Sequence, residues 1–182
     1  INELKYFFEN ILIVDDGSTD SSINIISSLE VNYVRHSLNL GQGAAIESGF
    51  NFLLENTNCN YGITFDGDGQ NRVIDAEMMV ETARRKNLDA VIGSRFLNKE
   101  FTKDIPFFKK LILKFGNIYE KMFYSINFSD THNGLRVLKR SLIKNYILPI
   151  RNHDMSHASE LSYKICKSNC NFEEFPVKVN YQ

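Results

Sequence analysis

The stretch ILIVDDGSTD, residues 11–20, decides the fold class. Its unbroken run of Ile, Leu and Val is typical of a strand that is buried on both faces of a parallel sheet. The run ends on Asp15 and Asp16, whose carboxylates are costly to bury without partners. Two interpretations stay open: a turn at Gly17 followed by a capped helix over 20–29, or a ligand site, because open α/β sheets bind ligands where their strands end.

Strand and helix patterns alternate along the chain, an order that favours a parallel sheet with helices on both faces. The strands predicted from apolar runs are residues 10–14, 31–35, 61–65, 89–93 and 172–180. The helices predicted from periodicity are residues 20–29, 43–56, 73–86, 107–124 and 157–168. No repeat, low-complexity tract or Pro/Gly-rich linker marks a boundary, so we expect one α/β domain over residues 1–182.

The composition narrows the classes of function. A net charge of −1 lacks the basic excess of a nucleic-acid-binding protein, so no nucleic-acid partner is expected. Three cysteines make no disulfide framework and favour a reducing compartment. We therefore expect a cytoplasmic chain, with contact to the inner face of the membrane left open.

The segment YGITFDGDGQ, residues 61–70, repeats the opening pattern with more acidic residues. Asp66 and Asp68 are two positions apart, so in an extended backbone both carboxylates point to one side. Such a pair suits a hard divalent cation, Mg²⁺ or Mn²⁺, that also takes substrate phosphates as ligands, and Gln70 offers a further oxygen. A Gly-Asp turn is the alternative. A second acidic strand end, at Asp15, favours the metal site.

Six segments together resemble the family 2 glycosyltransferases of the GT-A fold, the group that includes polyprenyl-phosphate hexose synthases such as dolichol-phosphate mannose synthase. They lie in the family's order: VDDGSTD (14–20), NLGQGAAIESGF (39–50), FDGDGQ (65–70), IGSRF (92–96), DTHNGLRVLKR (130–140) and HASEL (157–161). The last two are most similar to small bacterial members associated with surface-polysaccharide assembly. The resemblance implies a mostly parallel sheet with a Rossmann-like nucleotide-binding half, and metal-dependent, inverting transfer of a hexose from a nucleoside-diphosphate sugar.

The resemblance also implies roles for single residues. Those expected at the nucleotide sugar are Asp15, Asp16, Gly41, Gly43, Asp66 and Arg95. Those expected at the metal are Asp66, Asp68 and Gln70. Arg95 and Arg136 match positions that face phosphate groups in the prenyl-phosphate enzymes, and the planar donors of a guanidinium suit phosphate oxygens.

The acceptor stays open between two chemistries. A polyprenyl phosphate, the favoured acceptor, is already ionised near neutral pH and needs arginines rather than a strong base. A sugar hydroxyl, as in polysaccharide synthesis, needs a carboxylate base, and Glu160 is the best candidate. Glu160 has a second interpretation, a first-turn glutamate favoured by the helix dipole. The predicted catalytic residues are therefore Asp68, Arg136 and Glu160, and a non-catalytic nucleotide-binding relative is the alternative from another class.

Two further patterns have more than one interpretation. The segment PFFKKLILKFGNIYEKMF, residues 106–123, is amphipathic and carries interleaved lysines. Core packing is the usual meaning of its apolar stripe, but a basic amphipathic helix also lies on membrane surfaces, which would suit a lipid acceptor. His153 and His157 are four residues apart and could share a helix face, but the pattern lacks the Glu of the H-E-x-x-H zinc motif. The resemblance places His157 beside the acceptor region, where it implies an orienting role rather than a zinc site.

The resemblance finally implies a strand that the sequence does not supply. Members of the family begin with a strand that lies between those ending at Asp15 and Asp66, whereas residues 1–9 predict helix alone. Without it, both neighbours would expose backbone groups, each costing ~1–3 kcal/mol if buried without a partner. We therefore expect residues 1–182 to be a fragment of a longer chain, shortened at the start and also after Gln182, or to be completed by another chain.

Overall fold

The computed structural model describes residues 1–103, 105–124 and 126–181. Their strands are β1 (Leu12–Asp15), β2 (Asn32–Arg35), β3 (Tyr61–Thr64), β4 (Ala90–Ser94), β5 (Arg136–Lys139) and β6 (Phe172–Pro176). Their helices are α1 (Leu4–Phe7), α2 (Ser22–Ser27), α3 (Gln42–Asn56), α4 (Val73–Lys86), α5 (Phe107–Tyr124), α6 (Arg140–Leu142) and α7 (His157–Lys167), with a π-helical turn at Ile143–Ile147. The predicted α/β class is confirmed.

The strands form two sheets. In the first, β1 and β2 are parallel, with Asp15 opposite Arg35. In the second, the order is β3-β5-β4-β6, and β5 runs antiparallel to both of its neighbours while β4 and β6 are parallel. Within the described residues β1 and β3 do not pair, and the further strand expected between them stays a prediction.

The sequence patterns do not predict β5. Its four residues, RVLK, begin and end with a basic residue and leave two apolar positions, too few for a period-2 pattern to stand out. In the structure β3 and β4 flank this strand, and Arg136, Val137 and Leu138 are buried. β5 is therefore defined by pairing with residues that are distant in sequence. Because β5 lies between β3 and β4, this pairing places Arg136 on an interior strand of the sheet.

The core lies on both faces of the four-stranded sheet, as alternation along its strands requires. On one face, Ala90 and Ile92 of β4 pack with α3, the π-helical turn and α7, through Phe50, Ile143, Leu161 and Ile165. On the other face, Val91 packs with α4 through Ala76, Met79, Val80 and Ala83. Helices therefore cover both faces of this sheet, as predicted.

Four of the five predicted helices match the observed bounds within one residue, and these are α3, α4, α5 and α7. The end of α4 has a clear cause, because Asn87 adopts the left-handed conformation (φ 48°) and its N–H bonds to the carbonyls of the last turn. The helix predicted over 20–29 is shorter, at Ser22–Ser27, and the side chain of Ser21 makes no capping hydrogen bond. None of the described helices has both the length and the hydropathy that crossing a bilayer demands.

Candidate functional site

Asp15, the last residue of β1, is a buried carboxylate whose charge is paired within the protein, while its Oδ2 accepts no hydrogen bond from the described residues. Its side chain accepts the N–H of Ser18 at 3.0 Å and forms an ion pair with Arg35, whose Nε lies 3.1 Å from Oδ2. Hydrogen bonding from Ser18 and the charge of Arg35 hold the pKa of Asp15 below its ordinary value. Gly17 turns the chain with φ +72°. These contacts fit the turn interpretation of this strand end.

Asp16 fixes the loop that leads into α3. Its carboxylate accepts the N–H groups of Leu40 (2.9 Å) and Gly41 (2.7 Å) and bonds to His36 Nδ1 at 2.7 Å. The other ring nitrogen of His36 lies 2.8 Å from the Ser48 hydroxyl. Burial alone would raise the pKa of Asp16, but the bonds from His36, Leu40 and Gly41 lower it below its ordinary value. The predicted contact of Asp16 with a nucleotide sugar stays a prediction beside this positioning role.

Gly41 and Gly43 allow two backbone segments of the protein to approach each other closely. Gly41 has φ +98°, and a Cβ on it would lie 2.2 Å from the carbonyl oxygen of His153. A Cβ on Gly43 would lie 2.2 Å from the carbonyl oxygen of Asn152, and the Gly43 N–H donates to His153 O at 3.0 Å. The start of α3 is therefore held against residues 152–153, and nucleotide contact by these glycines stays a prediction.

The first turn of α3 joins the two acidic strand ends. Gly41 N–H donates to Asp16, and the side chain of the next residue, Gln42, donates to Asp66 Oδ1 at 2.9 Å. Asp66 therefore lies near the loop that Asp16 holds, at the carboxyl end of β3. Burial and the nearby charge of Asp68 raise the pKa of Asp66 above its ordinary value. The two strand ends share one edge of the molecule, as the sequence predicts.

Asp68 and Gln70 form an exposed turn beside Asp66. Asp68 Oδ1 accepts the N–H of Gln70 at 2.9 Å, and the Gln70 carbonyl accepts the N–H of Asn180 at 2.9 Å. Among the described residues, no group of three or more His, Cys, Asp or Glu side chains could hold a metal ion. Mg²⁺ commonly takes only one or two carboxylates and completes its shell with substrate phosphates. The mutual repulsion of Asp66 and Asp68 fits a cation of this kind.

Arg136 carries a fully buried guanidinium, and two of its nitrogens have no hydrogen-bond partner among the described residues. Its Nη2 donates to Thr131 O at 2.8 Å and lies 3.4 Å from Ala158 O. Its Nε and Nη1 are buried and have no hydrogen-bond partner in the described part of the chain. Burial lowers the pKa of Arg136 to about 10, opposed by the charges of Asp66, Asp130 and Glu120. Since unpartnered buried donors are rare in native proteins, these two nitrogens indicate a place for an anionic group.

His157, at the start of α7, is affected by the charges of both Arg136 and Asp66. Its Nδ1 bonds to the carbonyl oxygen of Asp154 at 2.7 Å, and its side chain is buried. Burial lowers the pKa of His157, and the charge of Arg136 lowers it further against the opposing charge of Asp66. The imidazole is therefore neutral at neutral pH. Both the place of His157 beside the acceptor and its orienting role stay predictions.

Arg95 is held by one carboxylate rather than facing an open cleft. Its Nε and Nη2 each donate to Asp130 at 2.6 Å, and its Nη1 donates to the Tyr181 hydroxyl at 3.2 Å. Burial alone would lower the pKa of Arg95, but bonding to Asp130 raises it. This bidentate pair links the end of β4 to the loop before β5. Its predicted role at the nucleotide sugar has no support from these contacts and stays a prediction.

Glu160 is also occupied by the protein. Its carboxylate accepts the N–H groups of Arg151 (3.0 Å) and Asn152 (2.8 Å) and pairs with Lys164 at 2.7 Å. Burial alone would raise the pKa of Glu160, but these three partners lower it below its ordinary value. A carboxylate held in this way is a weak proton acceptor. The contacts fit a first-turn glutamate of α7 and do not support the hypothesis that Glu160 is a general base.

Three polar residues near the site carry no role in the sequence analysis. His36 directly follows β2, and a polar residue after a strand end is the same signal that identifies Asp15. Asp130 lies within the segment DTHNGLRVLKR, but its partner Arg95 is 35 residues away. Glu120 is buried in α5, and the sequence marks it as the only acidic residue of that helix.

Comparison with known proteins identifies the family of this chain. Residues 1–147 match the model of glycosyl transferase family 2. The chain is 32% identical over 181 residues to an uncharacterized protein of Methanocaldococcus jannaschii, covering 99% of this chain and 74% of that protein. It is 28% identical over 202 residues to the UDP-N-acetylglucosamine–dolichyl-phosphate N-acetylglucosaminyltransferase of Methanococcus voltae, covering 100% of this chain and 79% of that protein.

Among solved structures, the UDP complex of glucosyl-3-phosphoglycerate synthase from Mycobacterium tuberculosis matches with a TM-score of 0.69 at 13% identity, over 96% of this chain and 61% of that one. The same enzyme with Mn²⁺, UDP and glucosyl-3-phosphoglycerate matches with a TM-score of 0.65 at 11% identity. The chain thus spans about three-fifths of the length of that enzyme, and the likeness concerns the fold, which is the GT-A fold predicted above. With most of its length matched by the family model, the chain belongs to glycosyl transferase family 2.

Proposed function

We propose that this chain transfers a hexose from a nucleoside-diphosphate sugar to a polyprenyl phosphate, and that it does so with a divalent cation. The observation that carries the proposal is the fully buried Arg136, whose Nε and Nη1 lack partners among the described residues while Asp66 lies nearby. The name of the Methanococcus voltae relative, which includes a dolichyl phosphate, supports the class of acceptor.

The donor would bind at the edge where both acidic strand ends lie. Asp66 and Asp68 would hold the cation together with the donor diphosphate, and Gln70 would supply a further oxygen. When bound, the divalent cation neutralises the negative charge that develops on the leaving nucleoside diphosphate. Asp16, Gly41 and Gly43 shape this site by holding the loop before α3 in place.

The acceptor phosphate would bind at Arg136. Its Nε and Nη1 are buried, so the site would first have to open to admit the acceptor. They would then donate to two phosphate oxygens, which fits the geometry of a guanidinium better than that of an ammonium group. The acceptor oxygen is already ionised, so attack on the anomeric carbon from the face opposite the leaving group needs no proton acceptor. The neutral imidazole of His157 would border this oxygen without competing for its charge.

A hydroxyl acceptor is less well supported. It needs a base, and the candidate, Glu160, has a lowered pKa and three protein partners. These partners would have to be given up before the carboxylate could take a proton. We therefore assign Glu160 to the packing of α7 against residues 151–152.

The experiment is a transfer assay with a panel of UDP- and GDP-sugars and a short polyprenyl phosphate, with Mg²⁺, with Mn²⁺ or with EDTA. We expect metal-dependent transfer that falls at least about 100-fold in Arg136→Gln, because charged hydrogen bonds to the nucleophile are lost. Glu160→Gln and the exposed control Arg85→Gln keep most of the activity. Thermal unfolding of each variant reports whether the fold is intact, and nucleotide binding reports whether the donor site is intact.

Two results contradict the proposal. The first is that none of the sugar nucleotides binds to the wild-type chain in the presence of a divalent cation. The second is that turnover collapses in Glu160→Gln while nucleotide binding persists, which would identify a general base and a hydroxyl acceptor.

A further inference from the structure

The segment that follows β6 connects the proposed cation site to the proposed acceptor site. The sequence predicts a strand over 172–180, but β6 covers only its first five residues, and segment 177–181 continues beyond the sheet. The side chains of Val177 and Val179 are buried, and the Val177 N–H donates to Ser94 O at 3.0 Å. The segment is therefore anchored in the core beside the end of β4.

This segment holds the turn that carries the proposed cation ligands. Val179 and Asn71 form an antiparallel bridge, and the N–H of the next residue, Asn180, donates to Gln70 O at 2.9 Å. Gln70 in turn donates its own N–H to Asp68 Oδ1 at 2.9 Å. Gln70 is therefore bonded to the segment on one side and to a proposed cation ligand on the other.

Packing does little to hold the exposed part of this turn. A Cβ on Gly67 or Gly69 would meet nothing within 4 Å. The segment, by contrast, has a firm base in the first turn of α4, where the carboxylate of Asp75 is buried. Asp75 Oδ2 accepts the N–H of Lys178 at 3.0 Å, and its Oδ1 accepts Arg72 Nη2 at 2.6 Å. The backbone of the segment therefore ties the turn to a fixed part of the protein.

Tyr181, the last described residue of the segment, bonds toward the acceptor site. Its hydroxyl accepts a hydrogen bond from Arg95 Nη1 at 3.2 Å, and Arg95 is held by the carboxylate of Asp130. The next residue, Thr131, offers its carbonyl oxygen to Arg136 Nη2 at 2.8 Å. Two adjacent residues of the segment thus bond to the cation turn and to the arginine that fixes the loop before β5.

We propose that segment 177–181 is a positioning element, which holds the turn at residues 68–70 at a fixed separation from the loop that orients Arg136. The inference rests on the proposed function, which puts the cation at this turn and the acceptor phosphate at Arg136. Transfer requires the acceptor oxygen to lie opposite the leaving diphosphate, and a misplacement of about 1 Å can cost ~100-fold in rate. The segment acts through the groups that bind the reactants and does not bind them itself.

The test compares two substitutions at one position. Asn180→Pro removes the N–H that donates to Gln70, whereas Asn180→Ala keeps it and removes only an exposed side chain. Val179 lies in a β-bridge, and an extended conformation is the one that a residue before proline favours. The affinity for Mn²⁺ is measured by electron paramagnetic resonance of the free ion, in the presence of UDP and, separately, of GDP. We expect it to fall about tenfold in Asn180→Pro and to stay unchanged in Asn180→Ala.

Tyr181→Phe tests the other end of the segment. It removes the hydroxyl to which Arg95 bonds and keeps the ring and the backbone. We expect the KM for a short polyprenyl phosphate to rise about fivefold, while the affinity for Mn²⁺ stays that of the wild type. A merely structural role of the segment would lower the melting temperature without changing this KM.

The inference is overturned by equal Mn²⁺ affinities of Asn180→Pro and Asn180→Ala, or by an unchanged KM in Tyr181→Phe. If thermal unfolding shows that Asn180→Pro does not fold, the KM of Tyr181→Phe decides alone. A wild-type chain that binds no Mn²⁺ with either nucleotide overturns the proposed function as well. A wild-type chain that binds Mn²⁺ and transfers sugar, with Asn180→Pro equally competent, overturns only the role of the segment, so the two failures are distinguishable.

Discussion

The two acidic strand ends have nearly the same sequence pattern and opposite physical states. At the end of β1, the charges of Asp15 and Asp16 are paired within the protein, with Arg35 and His36, and both of their pKa values lie below the ordinary value. At the end of β3, Asp66 has a raised pKa, and Asp68 stands on an exposed turn. The first pair holds the backbone in place, whereas the second pair is left with charge that a ligand can neutralise. The same motif therefore occurs in one chain in two different electrostatic environments.

The largest expected contrast comes from the same substitution in each pair. Asp68→Ala should lower metal-dependent turnover about 1,000-fold, because the cation loses a ligand at the developing charge. The free energy of unfolding of the Asp68→Ala variant should change by less than about 1 kcal/mol, since the Asp68 side chain is exposed. Asp16→Ala should lower the free energy of unfolding by ~2–4 kcal/mol, because the N–H groups of Leu40 and Gly41 lose their acceptor. Steady-state kinetics with a metal titration, and urea unfolding, measure the two effects.

The reverse outcome would break the comparison. If Asp16→Ala abolished turnover at full stability while Asp68→Ala unfolded the protein, the first pair would be the one that acts in turnover. Asp20→Ala, a change at another acidic residue of the exposed loop after β1, controls for the loss of a surface carboxylate.

A smaller difference in stability is expected between substitutions at two glycines. Gly43 lies in the first turn of α3, which follows the loop that Asp16 holds, and Gly67 lies between Asp66 and Asp68. A Cβ on Gly43 would lie 2.2 Å from Asn152 O, whereas a Cβ on Gly67, between Asp66 and Asp68, would meet nothing within 4 Å. Gly43→Ala should therefore destabilise the protein by ~1–3 kcal/mol, as overpacking does, and Gly67→Ala should be nearly neutral. Thermal unfolding of the two variants decides the point. Equal losses would mean that the start of α3 can move away from residues 152–153.

The sequence predicts the parts of this molecule that depend on local pattern. The apolar runs of β1 and β3 and the periodicity of α4 are visible without any tertiary information, and their bounds match the structure closely. The GT-A fold is implied by the resemblance of six short segments to family 2 glycosyltransferases. The positions of both acidic pairs are predicted from the apolar runs that end on them.

What the sequence does not show is which distant groups meet these residues. Asp16 is satisfied by groups 20–25 positions away, and Arg95 by Asp130, 35 positions away. β5 is defined by its neighbours and not by its own pattern. The stripe of α5 predicts an amphipathic helix, but periodicity does not tell which side faces the protein. The partners of a side chain are set by the tertiary structure, and they decide whether the charge of each aspartate is compensated within the protein.

The smallest expected effect is a change in the pH dependence of stability, and its sign separates the two pairs. The pKa of Asp66 is raised in the folded state, so ionising this carboxylate costs stability as pH rises from the ordinary value of 3.8 through the folded pKa. Asp66→Asn should therefore stabilise the protein at neutral pH and leave it unchanged at pH values below 3.8. The pKa of Asp16 is lowered, so Asp16→Asn should do the opposite: stability at neutral pH falls, and the loss disappears as pH falls through the folded pKa. Melting temperatures measured from acid to neutral pH, without divalent cations, give both curves.

Adding Mg²⁺ with a nucleoside diphosphate should then stabilise the wild type more than Asp66→Asn, because only the wild type offers both carboxylates. Parallel pH curves for the two variants would show that the pairs do not differ in charge state.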